Sequence, residues 1–479
     1  MKPRRPTVSD RQDKKEHCGI IGVFGIEDAA ELAHLGLYAL QHRGQESAGI
    51  VASDGCNVDS VKGLGLTSEA IDPHELKKLD GHIAVGHVRY STTGRKRVQN
   101  IQPLVTEYSQ SISAIAHNGN LTNAQSLRTE YQNRGSIFQT STDSEVVVHL
   151  LADPGHRRAA DPLGAVLRKL EGAYSLTMMD RSKLLAARDP HGFRPLCVGR
   201  LEDGYVVASE TCAFDLLGAE YLREVEPGEI LEFTGEGMES RHFVSPEERT
   251  PSRCIFEYIY FARPDSIVFG ECVHSVRVKL GRNLARNRPV EADVVSPVPD
   301  SGNSAALGYS RESGIPLDTA FVRNHYVGRT FITPAEESRA SKVRIKLNVV
   351  PDVVRGKRVV IVDDSIVRGT TSRARIHTLR EAGAKEVHLR ISAPPISKPC
   401  YYGIDFPSTE ELIAGNKSPE EIADFLGVDS LGYQTLDGLA ASVPGGREAY
   451  CRACFTGCYP VRPREEMRKH RLETSDAKE

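Results

Sequence analysis

The chain has 479 residues, of which 61 are basic and 64 acidic, so its formal net charge is -3. A chain of this length is longer than those that normally fold around one hydrophobic core, and we therefore expect two domains. Because the charges balance, the chain as a whole has no electrostatic field that would attract nucleic acid or a membrane surface. No run of apolar residues approaches the roughly 18 that a membrane span needs. Partners have to be predicted from local motifs.

Ten cysteines are scattered along the chain. Disulfide frameworks are typical of short secreted domains, so reduced thiols or a metal site fit this chain better. Residues 1–17 contain no apolar stretch of the kind that makes a signal peptide, which predicts a soluble cytoplasmic protein. An organellar transit peptide is the weaker alternative, because Asp10, Asp13 and Glu16 are unusual in such segments.

The sequence of the first half predicts short strands and two helices. The strands are GIIGVFG, HIAVGHVRY, ISAIAHNG, YSLTMMD and GYVVASE, and the helices are ELAHLGLYALQHR and SEVVVHLLAD. Apolar residues at helical spacing and β-branched runs between Gly, Asn and Asp turns support this assignment. The pattern indicates two sheets with helices packed outside, an α+β layer plan. The polar, aperiodic segment 234–253 predicts a domain boundary.

Strands and helices alternate in the second half. The strands are ADVVSPVPD, KRVVIVDDS and EVHLRISAPP, and the helices are a segment from Ala305 and RARIHTLREAGA. Repeating βα units favour a parallel sheet, whose ligands bind at the carboxyl ends of the strands.

The stretch EHCGIIGVFG places Cys18 behind a polar leader. A cysteine at a chain terminus needs no histidine, because its own α-amino group can act as the general base. This chemistry requires cleavage between His17 and Cys18, which would make residues 1–17 a propeptide. The alternative is a buried structural cysteine on the first strand, and the local sequence does not separate the two readings.

Three stretches downstream supply what a glutamine-like substrate needs: a cation, an anion and oxyanion donors. HVRYSTTG contains Arg89, AHNGN contains Asn118 and Gly119, and STDSE contains Asp143. Each has another interpretation: a surface arginine, a hairpin turn at the Asn-Gly pair, and a helix N-cap.

Together with LQHRGQESAGI, these stretches resemble the class II glutamine amidotransferase domain, an N-terminal-nucleophile hydrolase with a four-layer αββα fold. The resemblance implies a domain over 18–250 in which Cys18 is the nucleophile. It further implies that Arg89 and Asp143 bind glutamine, and that Asn118 and Gly119 form the oxyanion hole.

The stretch VVIVDDSIVRGTT carries the second set of candidate residues. A buried parallel strand ends at Asp363 and Asp364, and Gly369, Thr370 and Thr371 follow before a helix. Backbone N-H groups and hydroxyls at a helix N-terminus suit a phosphate, and adjacent carboxylates suit vicinal hydroxyls or hydrated magnesium. The alternative is that the two aspartates cap the helix. The loop is not a Walker loop.

The same stretch resembles the phosphoribosyl-pyrophosphate motif of type I phosphoribosyltransferases, which have a parallel α/β sheet. SPVPDSGNSA resembles their pyrophosphate-side loop and VRNHYVGRTFI their mobile flap, which implies a phosphoribosyltransferase domain over 251–479. The residues implied are Asp363 and Asp364 for ribose and magnesium, Ser301 for the metal shell, Arg329 for pyrophosphate, and Ser365, Arg368, Gly369, Thr370 and Thr371 for the 5-phosphate.

Two details of this half depart from the family or stay open. Arg323 and His325 stand where the flap usually has lysine and arginine, which largely keeps the charge and leaves the individual phosphate contacts open. The basic cluster of Lys342, Arg344 and Lys346 either assists the flap or is a solvated face.

The two halves together resemble the glutamine phosphoribosyl-pyrophosphate amidotransferases. That family hydrolyses glutamine and uses the ammonia to displace pyrophosphate, giving 5-phosphoribosylamine in the first step of de novo purine synthesis. The resemblance implies a homotetramer with purine nucleotides as inhibitors. The alternatives are another class II amidotransferase, which would not need the VVIVDDSIVRGTT loop, and a non-catalytic nucleotide- or redox-sensing regulator, which would not need Cys18.

The C-terminal CxxC, Cys451 and Cys454, is locally compatible with zinc, an iron-sulfur group or inert thiols. One branch of the resembled family has a propeptide and a [4Fe-4S] cluster, and the positions matching its ligands are Cys254, Cys400, Cys451 and Cys454. Cys458 is then a spare thiol that could replace Cys454. The remaining cysteines, Cys56, Cys197, Cys212 and Cys272, are expected in the core or as inert surface thiols.

Overall fold

The computed structural model of the chain describes residues 18–89, 98–108, 111–324 and 347–462. Some predictions lie outside these residues: the propeptide over 1–17, the flap residues His325 and Arg329, and the basic cluster Lys342, Arg344 and Lys346. No helix within the described ranges is long and apolar enough to cross a membrane.

The first half contains two antiparallel sheets. Its strands are β1 (Gly19–Phe24), β2 (Ser47–Ser53), β3 (Val58–Leu64), β4 (Ile83–Arg89), β5 (Leu104–Tyr108), β6 (Ser111–Leu121), β7 (Gly172–Met179), β8 (Leu184–Arg188), β9 (Cys197–Leu201), β10 (Gly204–Ala208), β11 (Glu220–Glu224), β12 (Glu229–Thr234) and β13 (Gly237–His242). One sheet has the order β11-β9-β10-β1-β4-β2-β3, and the other has the order β13-β12-β8-β7-β6-β5.

Helices cover the outer face of each sheet. They are α1 (Ala29–Ala39), α2 (Thr67–Ala70), α3 (Pro73–Leu76), α4 (Ala124–Asn133), α5 (Glu145–Ala152), α6 (Pro154–Arg157), α7 (Pro162–Leu167) and α8 (Cys212–Leu217). Leu37 of α1 and Phe214 of α8 pack on the first sheet, and Val147 of α5 packs on the second. Ile20 and Leu231 belong to an apolar layer between the two sheets. The four-layer αββα prediction is confirmed.

The segment 234–253 differs from its predicted form. Residues Gly237–His242 form β13, which pairs along its whole length with β12. The strand lies at the edge of its sheet and is mostly accessible. Its residues after Gly237 and Met238 are all polar, so it lacks the apolar alternation that marks a strand. The linker predicted from composition is therefore shorter than 20 residues.

The second half has a parallel four-stranded sheet, as predicted, with strand order β17-β20-β21-β22. Strands of this half are β14 (Arg253–Cys254), β15 (Ile267–Val268), β16 (Glu271–Cys272), β17 (Val294–Pro297), β18 (Phe321–Arg323), β19 (Leu347–Val349), β20 (Arg358–Asp363), β21 (Glu386–Ile391), β22 (Ser430–Tyr433) and β23 (Tyr450–Cys451). Val359 to Val362 are buried on both faces, as expected for the centre of a covered parallel sheet.

Helices of this half pack around that sheet. They are α9 (Val273–Asn287), α10 (Asn303–Ser313), α11 (Pro351–Val354), α12 (Thr370–Glu381), α13 (Ile413–Asn416), α14 (Pro419–Leu426), α15 (Leu436–Ala440) and α16 (Ala453–Thr456). A single π-helical turn, Glu257–Phe261, follows β14. Short 3-10 turns occur at Gln41–Arg43, Val98–Asn100, Pro246–Glu248, Thr409–Glu411 and Arg447–Ala449.

Candidate active sites

Cys18 and Arg89 lie at the ends of two neighbouring strands. Gly19 of β1 pairs with Val88 of β4, so Cys18, which precedes Gly19, is beside Arg89, the last residue of β4. Both residues are buried, with 8% and 5% of their surface exposed. The surface-arginine interpretation of Arg89 is therefore wrong.

Asn118 and Gly119 lie inside β6 on the facing sheet. They pair with Ser175 and Tyr174 of β7 in an unbroken register, so the hairpin-turn interpretation of this Asn-Gly pair is wrong. The Asn118 Nδ2 group is buried and finds no hydrogen-bond partner among the described residues. A buried donor without a partner is costly, and an oxyanion bound there would satisfy it.

Glycine at position 119 has a steric reason. Its φ is +153°, and an added Cβ would lie 2.0 Å from the carbonyl oxygen of Ala173. Any side chain would push β6 away from its neighbour, so only glycine keeps this backbone in place.

Asp143 is tied to the end of β6. Its Oδ2 accepts the backbone N-H of Leu121 at 2.9 Å. Helix α5 begins at Glu145 with Ser144 in the N-cap position, so the N-cap interpretation of Asp143 is wrong. The carboxylate thus lies next to the strand that carries Asn118 and Gly119.

A buried polar network braces these segments, and sequence reasoning missed it. His117 Nδ1 lies 2.9 Å from Ser144 Oγ, and Gln102 Oε1 accepts the backbone N-H of His117 at 2.8 Å. His87 Nε2 lies 3.2 Å from the His117 carbonyl oxygen, joining the two sheets. Burial, assisted by Arg89, lowers the pKa of His87 to about 3, so its imidazole is neutral. The network connects the Arg89, Asn118 and Asp143 segments.

The two predicted loops of the second site meet. Asp364 follows the carboxyl end of β20, and Ser301 Oγ, from the loop after β17, donates to its Oδ2 at 2.7 Å. Ser365 Oγ donates to the other oxygen of Asp364. Helix α12 starts at Thr370 with Gly369 at its N-cap, so the helix-capping interpretation of the two aspartates is wrong.

Other groups surround this loop. Arg375 of α12, which sequence reasoning missed, donates from Nη1 to Asp363 Oδ2 at 3.0 Å. Arg368, predicted to bind phosphate, pairs here with Glu411. Thr370 is exposed and Thr371 is half-buried at the helix N-terminus. The sequence motif of the loop does not include Arg375, because this residue lies more than one turn into α12 and reaches back to Asp363.

The four predicted cluster cysteines, Cys254, Cys400, Cys451 and Cys454, line one cavity. Cys254 lies opposite Cys451 in the parallel β14-β23 pair, and the Cys454 carbonyl accepts the N-H groups of Ser397 and Lys398. The other lining residues are apolar or aromatic: Phe193, Ile255, Phe256, Tyr402, Ile404, Ala453 and Tyr459.

Burial acts on the thiols of this cavity as it does on the core thiols of Cys197 and Cys212, whose pKa it also raises. Burial raises the pKa of the Cys254 thiol to about 12 and also raises that of Cys400. Within the described ranges, no group of three or more His, Cys, Asp or Glu side chains is placed to hold a metal ion. Cys458 is exposed and outside the cavity, whereas Cys197 and Cys212 are buried in the core and Cys56 is exposed.

Comparisons with known proteins identify the family of this chain. Residues 87–215 match the model of a glutamine amidotransferase domain. The amidophosphoribosyltransferase of Bacillus subtilis is 51% identical over 453 residues, which cover 93% of this chain and 94% of that protein.

Two solved structures share the whole architecture. The glutamine phosphoribosylpyrophosphate amidotransferase of B. subtilis, complexed with ADP and GMP, has a TM-score of 0.87 and 49% identity, covering 93% of this chain and 98% of that one. The structure of the allosteric regulatory enzyme of purine biosynthesis has a TM-score of 0.88 and 49% identity, covering 93% and 96%. The chain therefore belongs to the amidophosphoribosyltransferase family, the glutamine-dependent enzymes of purine biosynthesis.

Proposed function

We propose that this chain makes 5-phosphoribosylamine from glutamine and phosphoribosyl pyrophosphate at two sites. Residues 18–250 release ammonia at Cys18, and residues 251–479 transfer it at the Asp363–Asp364 loop. The observation that carries the proposal is that one chain contains both sites. At the first, the buried residues Cys18 and Arg89 lie side by side, and the facing sheet carries the Asn118 amide, which has no hydrogen-bond partner among the described residues. At the second, Ser301 contacts Asp364 at the carboxyl end of a parallel strand.

The glutaminase step uses this chain's own groups. The α-amine of Cys18 takes the proton of its thiol, and Sγ attacks the amide carbon of glutamine. Asn118 Nδ2 and the Gly119 N-H stabilise the negative oxygen, while Arg89 and Asp143 hold the α-carboxylate and α-ammonium groups. The α-ammonium group of Cys18 returns its proton to the amide nitrogen, which leaves as ammonia, and water hydrolyses the remaining thioester to glutamate and the free thiol.

The transfer step places ribose at the second loop. Asp363 and Asp364 orient the ribose hydroxyls, the Ser365–Thr371 loop binds the 5-phosphate, and Arg329 binds the pyrophosphate. Ammonia attacks C1 of the ribose and pyrophosphate leaves. Mg²⁺ prefers oxygen ligands, and Ser301 with the two aspartates would hold it. The bound ion would neutralise the negative charge of the pyrophosphate.

The free α-amine of Cys18 requires removal of residues 1–17. The intact mass of the purified chain is expected to correspond to a start at Cys18. In the same preparation, glutamine and phosphoribosyl pyrophosphate together should yield equal amounts of glutamate and pyrophosphate, measured by coupled assays. A mature chain that starts elsewhere, or the absence of either product, contradicts the proposal.

A [4Fe-4S] cluster is the cofactor we propose for Cys254, Cys400, Cys451 and Cys454. Four thiols line one apolar cavity, with Cys254 and Cys454 buried and Cys400 and Cys451 partly buried. They fit the ligand set of a four-iron cluster, which holds its thiolates apart and does not require donors gathered around one ion. The cluster would supply structural cross-linking, joining the C-terminal segment to the start of the second half.

Purified protein is expected to contain about four iron and four acid-labile sulfide per chain, measured by colorimetric assay. Replacing Cys451 with serine should remove most of the iron, whereas replacing the exposed Cys458 should not. Zinc in place of iron would overturn the cluster and leave the catalytic proposal intact.

Purine nucleotides are proposed as inhibitors and the homotetramer as the assembly, in a cytoplasmic protein. The support is the resemblance to the B. subtilis enzyme, whose solved structure is complexed with ADP and GMP. Added GMP and ADP should slow synthesis, and light scattering should give four times the chain mass. Unchanged rates would contradict the proposed inhibition, and the mass of a single chain would contradict the proposed tetramer.

A further inference from the structure

Four charged side chains are completely buried where the two halves meet. They are Arg43, Arg194, Glu210 and Glu257, and each has 0% of its side chain exposed. Two guanidinium groups and two carboxylates balance one another. Because an unpaired charge in such a place is strongly destabilising, each member depends on the others.

Arg43 connects this charge cluster to the predicted nucleophile. Its Nε donates to the carbonyl oxygen of Cys18 at 3.1 Å. Its Nη1 and Nη2 donate to the two carboxylate oxygens of Glu257 at 3.0 and 2.9 Å, and Nη1 also contacts Glu210. A planar guanidinium held by a two-pronged carboxylate contact has a defined orientation. The position of the Cys18 carbonyl therefore depends on Glu257.

Glu257 belongs to the second half, three residues after Cys254, in the π-helical turn. Its Oε1 also accepts Arg194 Nη1 at 3.0 Å. Arg194 in turn donates to the carbonyl oxygen of Tyr402 from Nε and Nη2, at 3.1 and 2.7 Å. The carboxylate is thus fixed from two sides.

The loop that contains Tyr402 also touches the strand that carries the predicted oxyanion donors. Asn120 Nδ2 donates to the Tyr401 carbonyl oxygen at 2.9 Å, and a Cβ added to Gly403 would lie 3.0 Å from the Gly119 carbonyl oxygen. Elements of the second half therefore fix both the nucleophile carbonyl and the oxyanion strand, which are the two parts whose relative position decides the first bond-forming step.

We propose that Glu257 is a positioning residue for the glutamine-dependent reaction, acting through Arg43 on the Cys18 carbonyl. The glutaminase half is consequently incomplete without a side chain from the second half. This inference rests on the proposed role of Cys18, because it assigns a function to the groups that orient it.

The test is Glu257→Gln, which keeps the shape of the side chain and removes the negative charge that holds the Arg43 guanidinium group. Glutamine-dependent synthesis should fall about 10-fold or more in kcat, since small displacements of reacting groups cost rate, and KM for glutamine should change much less. Synthesis from ammonium chloride and phosphoribosyl pyrophosphate, which bypasses Cys18, should remain within about 2-fold of the unsubstituted enzyme. Alkylation of Cys18 by an electrophilic glutamine analogue should slow in parallel.

A matched control is Glu229→Gln. Glu229 is buried and makes a two-pronged contact with Arg223 at 2.8 and 2.7 Å, on β12 and away from Cys18. Both glutamine- and ammonia-dependent rates should stay unchanged in this variant. If Glu257→Gln does not fold, Arg43→Lys, which retains the positive charge but loses the fork, should show the same selective loss.

Equal loss of both activities in the Glu257 and Arg43 variants, or loss of neither, would overturn the positioning role. A KM effect without a kcat effect would also overturn it. An unsubstituted enzyme without glutamine-dependent activity would instead refute the proposed function, so the two failures are distinguishable.

Discussion

Replacing Cys18 with alanine is expected to reduce glutamine-dependent synthesis by at least about 10³-fold, because the variant lacks the sulfur atom that we propose attacks the amide carbon. Synthesis from ammonium chloride should persist, since ammonia needs only the second site. The measurement is pyrophosphate release with each nitrogen donor. To separate processing from chemistry, both proteins are produced with the start codon directly before position 18, and their N-termini are verified by mass.

The control for this substitution is Cys56→Ala, which removes an exposed thiol in the turn between β2 and β3. Both nitrogen donors should support unchanged rates in that variant. A Cys18→Ala enzyme that still hydrolyses glutamine would show that another group is the nucleophile. Loss of the ammonia-dependent rate as well would show that Cys18 is needed for the fold of both halves.

The sequence carried enough information to place the fold and most candidate residues, because their signals are local. VVIVDD is a buried strand followed by acidic residues, and Asp363 and Asp364 do lie at the carboxyl end of a parallel strand. Asn118-Gly119 was locally ambiguous, since the pair is also a strong turn signal. The structure resolves it through a long-range cause: β7 pairs with β6 through both residues, and Ala173 leaves no room for a Cβ at Gly119.

What could not be predicted depends on residues distant in sequence. The Arg43–Glu257 contact joins positions 214 residues apart, and the Arg194–Tyr402 contact joins positions 208 apart. Hydrophobic periodicity reports which face of an element is buried and not which partner it meets. Fully buried charged residues in particular look like surface residues in a sequence, so Glu257 carried no signal.

The edge strand β13 is a second feature that the sequence pattern did not predict. Its last four residues, Glu239 to His242, are polar because the edge of a sheet is accessible, and a strand without apolar alternation is indistinguishable from a linker by composition. Pairing with β12 is what makes it a strand. A boundary placed by composition alone would therefore cut into the first half.

Replacing Asp364 with asparagine is expected to reduce synthesis by about 10²-fold or more with both glutamine and ammonia as nitrogen donors. The substitution keeps the shape of the side chain but removes the charge that faces the Ser301 hydroxyl, where ribose and magnesium are proposed to bind. Glutamate release measured without phosphoribosyl pyrophosphate should be unaffected, because Cys18 and its surrounding groups are unchanged. Calorimetry should show weakened phosphoribosyl-pyrophosphate binding in the presence of Mg²⁺.

Asp293→Asn is the matched control, because Asp293 forms an ion pair with Arg358 at the opposite end of β20. Asp293 directly precedes β17, so that variant removes a carboxylate beside the amino end of β20, where parallel sheets do not bind ligands, and its activity should stay within about 2-fold of the unsubstituted enzyme. Together with Cys18→Ala, the Asp364 variant separates the two sites: the former should lose only the glutamine-dependent rate, the latter both. An Asp364→Asn enzyme that retains ammonia-dependent synthesis would show that the phosphoribosyl group binds elsewhere, since the proposed function places the ribose at this loop.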